Sequence, residues 1–183
     1  KDYDYIVSPS ASCISMVKEN YKNLLEKDIH EMIKNKSYEL CEFLHDVLDA
    51  KIDSSFNKKV GLHNSCHGQR ELKLASASEL NIDNYSKPIA LLSQVKGLEL
   101  VEAKRRDECC GFGGSFSVVE DGISAFMGED RIDEHLENGV EYITATDLSC
   151  LMHMEGLIKR KKLNLKTIHI SQILIGENHE PRS

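Results

Sequence analysis

At 183 residues, with 40% hydrophobic and 29% charged side chains, the chain can bury a real core as one domain or two small halves. No apolar run approaches the roughly 18 residues of a membrane helix and no signal-peptide pattern opens the chain, so neither a membrane-spanning nor a secreted protein is expected. A net charge of −7 argues against nucleic acid as the main partner, and the basic run Lys159–Lys162 reads as the solvated end of a helix.

The opening Lys1-Asp2-Tyr3-Asp4 is not a natural start and is read as belonging to a longer chain. Tyr5 to Ser8 predicts a strand, followed by a helix from Cys13 through Leu25 with Ile14, Val17, Tyr21 and Leu24 at helical spacing. A second helix is expected over Tyr38 to Lys51, turning Leu40, Phe43, Leu44, Val47 and Leu48 inward and carrying Cys41 as a small core residue. Val60 to His63 predicts a strand that ends at Cys66. Pro88 opens a helix through Val95, since proline is tolerated in a first turn. Leu98 to Ala103 is the next strand and leads to Cys109-Cys110. Ser117 to Asn138 predicts a helix capped by Gly139, Tyr142 to Ala145 a strand, Ser149 to Lys161 a helix, and Thr167 to Ile170 a last strand before a short helix. The tail Glu177 to Ser183 is expected to be loose. Strands alternating with helices favour parallel pairing through right-handed crossovers, hence a three-layer α/β sandwich with a mostly parallel sheet. Such sheets place their sites at the carboxyl ends of the strands.

Four of the six cysteines fall at those ends: Cys66, the pair Cys109-Cys110, and Cys150. Six cysteines without a secretory signal point to reduced thiols in the cytoplasm, and so to metal or redox chemistry. In Cys109-Cys110-Gly111-Phe112-Gly113-Gly114-Ser115 the glycines permit positive φ and let amide N–H groups approach thiolate or sulfide. Cys66 at a strand-to-helix junction, beside His67 and Arg70, is expected to favour thiolate. His63 and His67 read as surface or hydrogen-bonding histidines, with metal ligation the alternative. Cys150 follows Asp147 and Ser149, either of which can cap the helix beginning there. Cys150-Leu151-Met152-His153 has a common metal-ligand spacing, so His153 joins the candidate ligands. Thiolate-rich sites suit both iron–sulfur clusters and zinc. Disulfide chemistry at Cys109-Cys110 is disfavoured because vicinal disulfides are strained. Gly111-x-Gly113-Gly114 does not fit the dinucleotide fingerprint G-x-G-x-x-G, so hydride transfer by this chain alone is not expected.

A faint repeat links Tyr5-Ile6-Val7-Ser8-Pro9-Ser10-Ala11-Ser12-Cys13 to Tyr142-Ile143-Thr144-Ala145-Thr146-Asp147-Leu148-Ser149-Cys150. Each runs from a β-rich segment through a polar turn and Ser-Cys into an apolar helix. The first copy has no counterpart of Cys66 or Cys109-Cys110, leaving one complete metal site and Cys13 as the remnant of another.

At these residues the chain resembles the cysteine-rich CCG-domain family, which is found in heterodisulfide reductase and in the iron–sulfur component of glycolate oxidase. The family pattern, a cysteine, a distant Cys-Cys-Gly and a distant Cys-x-x-Cys, maps onto Cys66, Cys109-Cys110-Gly111 and Cys150-x-x-His153, with His153 where the family has its last cysteine. The resemblance implies residues 1–55 as the remainder of a first repeat, 56–176 as a second, complete repeat, and 177–183 as a flexible tail. It implies an iron–sulfur cluster of the [4Fe–4S] type, or alternatively zinc, held by Cys66, Cys109, Cys110 and Cys150 with His153. The implied role is an electron-transfer subunit of a complex oxidising L-lactate to pyruvate, the alternative a zinc-stabilised scaffold module of such a complex. Partners would then be other iron–sulfur subunits, through which the chain would sit at the inner face of the membrane.

Overall fold

The computed structural model describes residues 2–176, so the predicted loose tail lies outside the described residues. Two parallel sheets organise the chain. The smaller pairs β1 (Ile6–Ser8) with β2 (Ser37–Glu39). The larger contains β3 (Lys59–Leu62), β4 (Glu99–Glu102), β5 (Tyr142–Ala145) and β6 (Lys166–His169), in the spatial order β4-β3-β5-β6.

Helices cover both faces of the larger sheet, giving the expected three layers. On one face α6 (Asp121–Glu137) and α7 (Leu148–Lys161) pack Ile132, Leu151, Met154 and Ile158 against Ile143 and Ala145 of β5. On the other, α4 (Lys87–Leu92) and α8 (Ile170–Ile175) pack Leu91, Leu92, Ile170 and Ile173 against Val60 and Leu62 of β3. Each fully buried aliphatic or methionine side chain of this kind stabilises the fold by about 1.5–3 kcal/mol. The strands alternate between faces: Tyr142 joins the second cluster while its neighbour Ile143 joins the first.

Local signals explain the boundaries. Ser86 caps α4 by accepting from the Ile89 amide at 3.3 Å, and Pro88 sits in the first turn. Asp147 caps α7, accepting from the Ser149 amide at 3.2 Å and from its hydroxyl at 2.7 Å. Gly139 at φ 66° closes α6, as the sequence suggests. The expected helix over Ser117–Asn138 divides at Glu120 into α5 (Phe116–Val119) and α6. The expected helix from Cys13 changes pitch along its length: α1 (Ala11–Ser15) passes into a π turn (Met16–Asn20) and a 3₁₀ turn (Tyr21–Asn23).

Two elements depart from the reading. The ten-residue α2 (Lys27–Lys36) was not foreseen, and the predicted helix start at Tyr38 is a strand residue instead. The next helix, α3 (Leu40–Glu42), continues as a π turn (Phe43–Val47) and can begin only after Glu39. The Glu39 carboxylate accepts from the amides of Cys41 (2.6 Å) and Glu42 (3.2 Å), and the Glu42 carboxylate accepts from the Glu39 amide (3.3 Å). This reciprocal cap fixes Glu39 in extended backbone. His169 heads α8 with the same device, its ring accepting from the Ser171 amide while Gln172 accepts from its own amide. Both Ser-Cys segments run from a strand into a helix and on to a parallel strand and a capped helix, with α2 an additional element of the first.

Candidate metal centre

The larger sheet reverses its direction of growth between β3 and β5: the chain leaves β3 for β4 on one side and leaves β5 for β6 on the other. Such a switch opens a crevice at the carboxyl ends of the two strands. Here His63 extends β3 by one residue, its amide donating to the Thr144 carbonyl at 2.8 Å. Ser65 meets Thr146 across the crevice, Oγ to Oγ1, at 3.4 Å. The first Ser-Cys turn docks here too, with the Ser12 amide donating to the Asp147 carboxylate at 2.7 Å.

Cys66 heads a short π turn (His67–Glu71) that is fastened to the segment following β4. Arg70 Nη1 donates to the Asp107 carbonyl (3.2 Å), and Asn64 Nδ2 to the Arg106 carbonyl (3.4 Å). From the opposite side, buried Arg131 of α6 donates to the Arg105 carbonyl (2.6 Å), and the Arg105 amide donates to Glu134 (3.0 Å). The loop preceding Cys109 is therefore held between the Cys66 turn and α6.

The Cys-Cys-Gly turn then lies on α6 at backbone contact. Gly111 has φ 85°, and a Cβ there would drive into the Ser124 carbonyl and stand 2.8 Å from Met127 Cβ. Both the dihedral and the space demand glycine. The Ser124 hydroxyl donates to the Gly111 carbonyl at 2.8 Å, and the Gly111 amide lies 3.4 Å from Cys109 Sγ, donating to it.

These restraints bring the four predicted cysteines together. Their thiols are electrostatic neighbours in series, Cys66 beside Cys109, Cys109 beside Cys110 and Cys110 beside Cys150. Cys110 and Cys150 are buried, whereas Cys66 and Cys109 are partly open, so the group has an inner and an outer half. Charge alternates along the series. Contact with the Cys110 thiol pulls Cys150 down to about 6 against its burial, and the neighbouring His63 ring helps. Cys109 is held far below the ordinary thiol range, first by Cys110, then by Cys66 and the Gly111 amide. Cys66 and Cys110 are pushed up, each first by the neighbouring Cys109, then by burial for Cys66 and by Cys150 for Cys110. The adjacent Cys109 raises the Cys66 thiol, against the thiolate expected at that strand-to-helix junction, where a five-residue turn offers little dipole.

Among the described residues, a ring nitrogen of His63 and the sulfurs of Cys110 and Cys150 lie within 4.8 Å of one another. His63 is buried, and its Nε2 has no hydrogen-bond partner there. Of the two preferred readings of His63 the surface one does not hold, since the residue is buried, whereas an interaction of its ring with Cys150 agrees with a hydrogen-bonding role. The available signal was its position at the very end of β3, in the same crevice as Cys66. His67, by contrast, is exposed, with Nδ1 3.7 Å from Cys66 Sγ. His153 is placed beside the group rather than in that trio: its Nε2 is 3.2 Å from the Ser124 carbonyl, and its ring centroid is 5.9 Å from that of Phe112. Cys41 lies in the core and Cys13 is exposed, both apart from the series. All six cysteines are free thiols.

Soft sulfur donors with a buried imidazole beside them suit a thiophilic metal. Comparison with known proteins agrees with this chemistry. Residues 60–155 match the CCG family, described as a cysteine-rich domain. The chain is 36% identical to lactate utilization protein A of Bacillus subtilis, covering 95% of this chain and 71% of that one. It is also 36% identical to the protein of the same name from Oceanobacillus iheyensis (95% and 69%) and 38% identical to that from Shouchella clausii (94% and 70%). The matched region runs from β3 through Cys150 and His153, and the chain belongs to the CCG cysteine-rich domain family.

Proposed function

We propose that the chain is an electron-carrying iron–sulfur subunit of an assembly that oxidises L-lactate, its cluster held by Cys66, Cys109, Cys110 and Cys150. The observation that carries this reading is the single series of four sulfurs across the carboxyl ends of three adjacent parallel strands. The similarity to proteins named for lactate utilisation supplies the process, and other iron–sulfur proteins of that process are the partners. Residues 56–176 form the unit that carries the cluster, with 1–55 belonging to a related unit.

When bound, the cluster supplies one-electron chemistry; the chain supplies its surroundings. Buried Cys110 and Cys150 hold one side away from water, which strengthens the electrostatic effect of nearby dipoles. The Gly111 amide aimed at Cys109 offsets negative charge on that sulfur and so tunes the reduction potential. Half-open Cys66 and Cys109 leave one edge where a partner's electron carrier can approach. No helix among the described residues is long and apolar enough to cross a membrane.

A second reading, a zinc-stabilised scaffold, is favoured by the compact His63–Cys110–Cys150 trio, whose donor types are those of structural zinc sites. Anaerobic purification separates the two. Broad visible absorbance that bleaches on reduction, with iron and sulfide present, supports the electron carrier; a colourless protein with stoichiometric zinc supports the scaffold and overturns the first reading. Restored growth on L-lactate, in cells deprived of their own lactate utilization protein A, tests the process. Growth must be lost with Cys110→Ser.

A further inference from the structure

We infer that His63 is a direct ligand of the metal centre, its imidazole supplying the nitrogen that joins the cysteine sulfurs. This rests on the metal-centre reading above and adds a residue that lies outside the family's cysteine pattern.

Position is the first argument. Donor atoms that share one tetrahedral ion, as in the zinc reading, stand about 3.5–4 Å apart, since the bonds are roughly 2.0–2.3 Å. The His63 nitrogen and the Cys110 and Cys150 sulfurs already lie within 4.8 Å, a short adjustment from that spacing. His63 enters from β3, Cys110 from the loop after β4 and Cys150 from the first turn of α7, so the donors approach from separate elements.

The second argument is an unanswered polar atom. His63 is buried, its backbone amide is used by Thr144, and its Nε2 has no hydrogen-bond partner among the described residues. Buried polar atoms are paired in the great majority of cases, and an exception calls for a bound water, an ion or local strain to account for it. Another imidazole packs against the same strand: a Cβ on Gly61 of β3 would strike the His135 ring, whose two nitrogens are likewise without partners among the described residues.

The third argument concerns the other candidate. His153 sits where the family has its last cysteine, yet its Nε2 faces the Ser124 carbonyl at 3.2 Å, and a Cβ on Gly128 would lie 2.8 Å from that nitrogen. Its ring is packed against α6 and the Cys-Cys-Gly turn, and acts there as a positioning group.

The test uses the full chain, purified anaerobically with the metal it retains and grown with ¹⁵N-labelled or ordinary histidine. Pulsed EPR of the reduced cluster, or X-ray absorption if the metal is zinc, reads directly bound nitrogen. The expected result is one isotope-sensitive nitrogen, lost in His63→Ala, replaced by a sulfur in His63→Cys with metal retained, and unchanged in His153→Ala and His67→Ala. A sulfur-only centre in the parent, or a nitrogen that disappears in His153→Ala or His67→Ala, overturns the assignment even if His63 variants fail to fold. A parent that holds no metal at all overturns the metal-centre reading and this assignment with it, and is recognised by the absence of any metal signal.

Discussion

The carbonyl oxygen of Cys110 lies 3.1 Å from the point where a Cβ on Gly128 would stand. Gly128 belongs to α6 and Cys110 to the turn above it, so the absence of one side chain lets the cysteine turn rest on the helix. Leu157 and His153 close the same space from α7.

Gly128→Ala therefore has a cost that helix propensity alone would not suggest. Overpacking against a backbone oxygen is expected to destabilise the fold by about 1–3 kcal/mol and to lower the metal retained per chain. The control is Gly156→Ala in α7, where nothing lies within 4 Å of an added Cβ. That change is expected to raise stability by about 0.5–1 kcal/mol with metal content unchanged. Thermal unfolding with metal analysis checks both, and equal effects at the two glycines would refute the packing argument.

Glu134 and Arg131 anchor the loop that leads into Cys109. Arg131 is almost wholly buried, with Nη2 donating to the Glu134 carboxylate at 2.6 Å. Removing the carboxylate in Glu134→Ala leaves a buried cation and frees the Arg105 amide, at an expected cost of about 3–5 kcal/mol. Denaturant unfolding measures it, and a loss under about 1 kcal/mol would mean that Glu108, 3.8 Å from Arg131, takes over the pairing.

Glu39 gives a pH signature of opposite sign to ordinary surface carboxylates. Burial raises it from 4.5 to about 7, against the opposing effect of the Cys41 and Glu42 amides. The folded state therefore binds this proton more tightly than the unfolded chain. Its stabilising effect is full below about pH 4.5 and is lost as pH rises through 7. Glu39→Gln keeps an accepting oxygen for the cap and removes the titration. Relative to the parent it is expected to gain stability between pH 5 and 8, by an amount on the order of 2–3 kcal/mol. Urea unfolding of both proteins across that range decides it; a constant difference would show that Glu39 does not titrate there.

Cys41 shares the core with Phe56, Val60 and Leu92, and its thiol is pushed up by burial and by neighbouring Glu39. Cys41→Ala is expected to leave metal content unchanged and to cost about 1 kcal/mol. Metal loss in this variant would place Cys41 in the centre despite its core packing.

The strands that carry the cysteines were legible because each has strong signals. Tyr142–Ala145 is β-rich and bounded by Gly139 and a capping Asp147, and Cys66, Cys109, Cys110 and Cys150 all follow strands of one parallel sheet. The elements that escaped notice are short or polar. Three residues of β2 give no readable alternation, and α2, Lys-Asp-Ile-His-Glu-Met-Ile-Lys-Asn-Lys, buries only His30 fully. The inner histidine escaped for a different reason. His63 and His67 flank the same cysteine and look equivalent in sequence, but one terminates a buried strand and the other starts an exposed turn. That difference arises from sheet register, through the His63 to Thr144 hydrogen bond, and register is a long-range property.

His153 offers the last test, because its side chain reaches the cysteine turn through a relay. Its Nε2 is 3.2 Å from the Ser124 carbonyl, and the Ser124 hydroxyl holds the Gly111 carbonyl at 2.8 Å. His153→Ala breaks the first link and is expected to cost about 1 kcal/mol, the usual net value of one hydrogen bond. Ser124→Ala breaks the second. Because both links position one turn, the double variant is expected to depart from additivity by about 0.5 kcal/mol or more. His153→Gln, which keeps an N–H donor of similar reach, should recover part of the loss. A strictly additive cycle, with no recovery in His153→Gln, would mean that His153 and Ser124 stabilise the fold independently and that the relay to Gly111 does not exist.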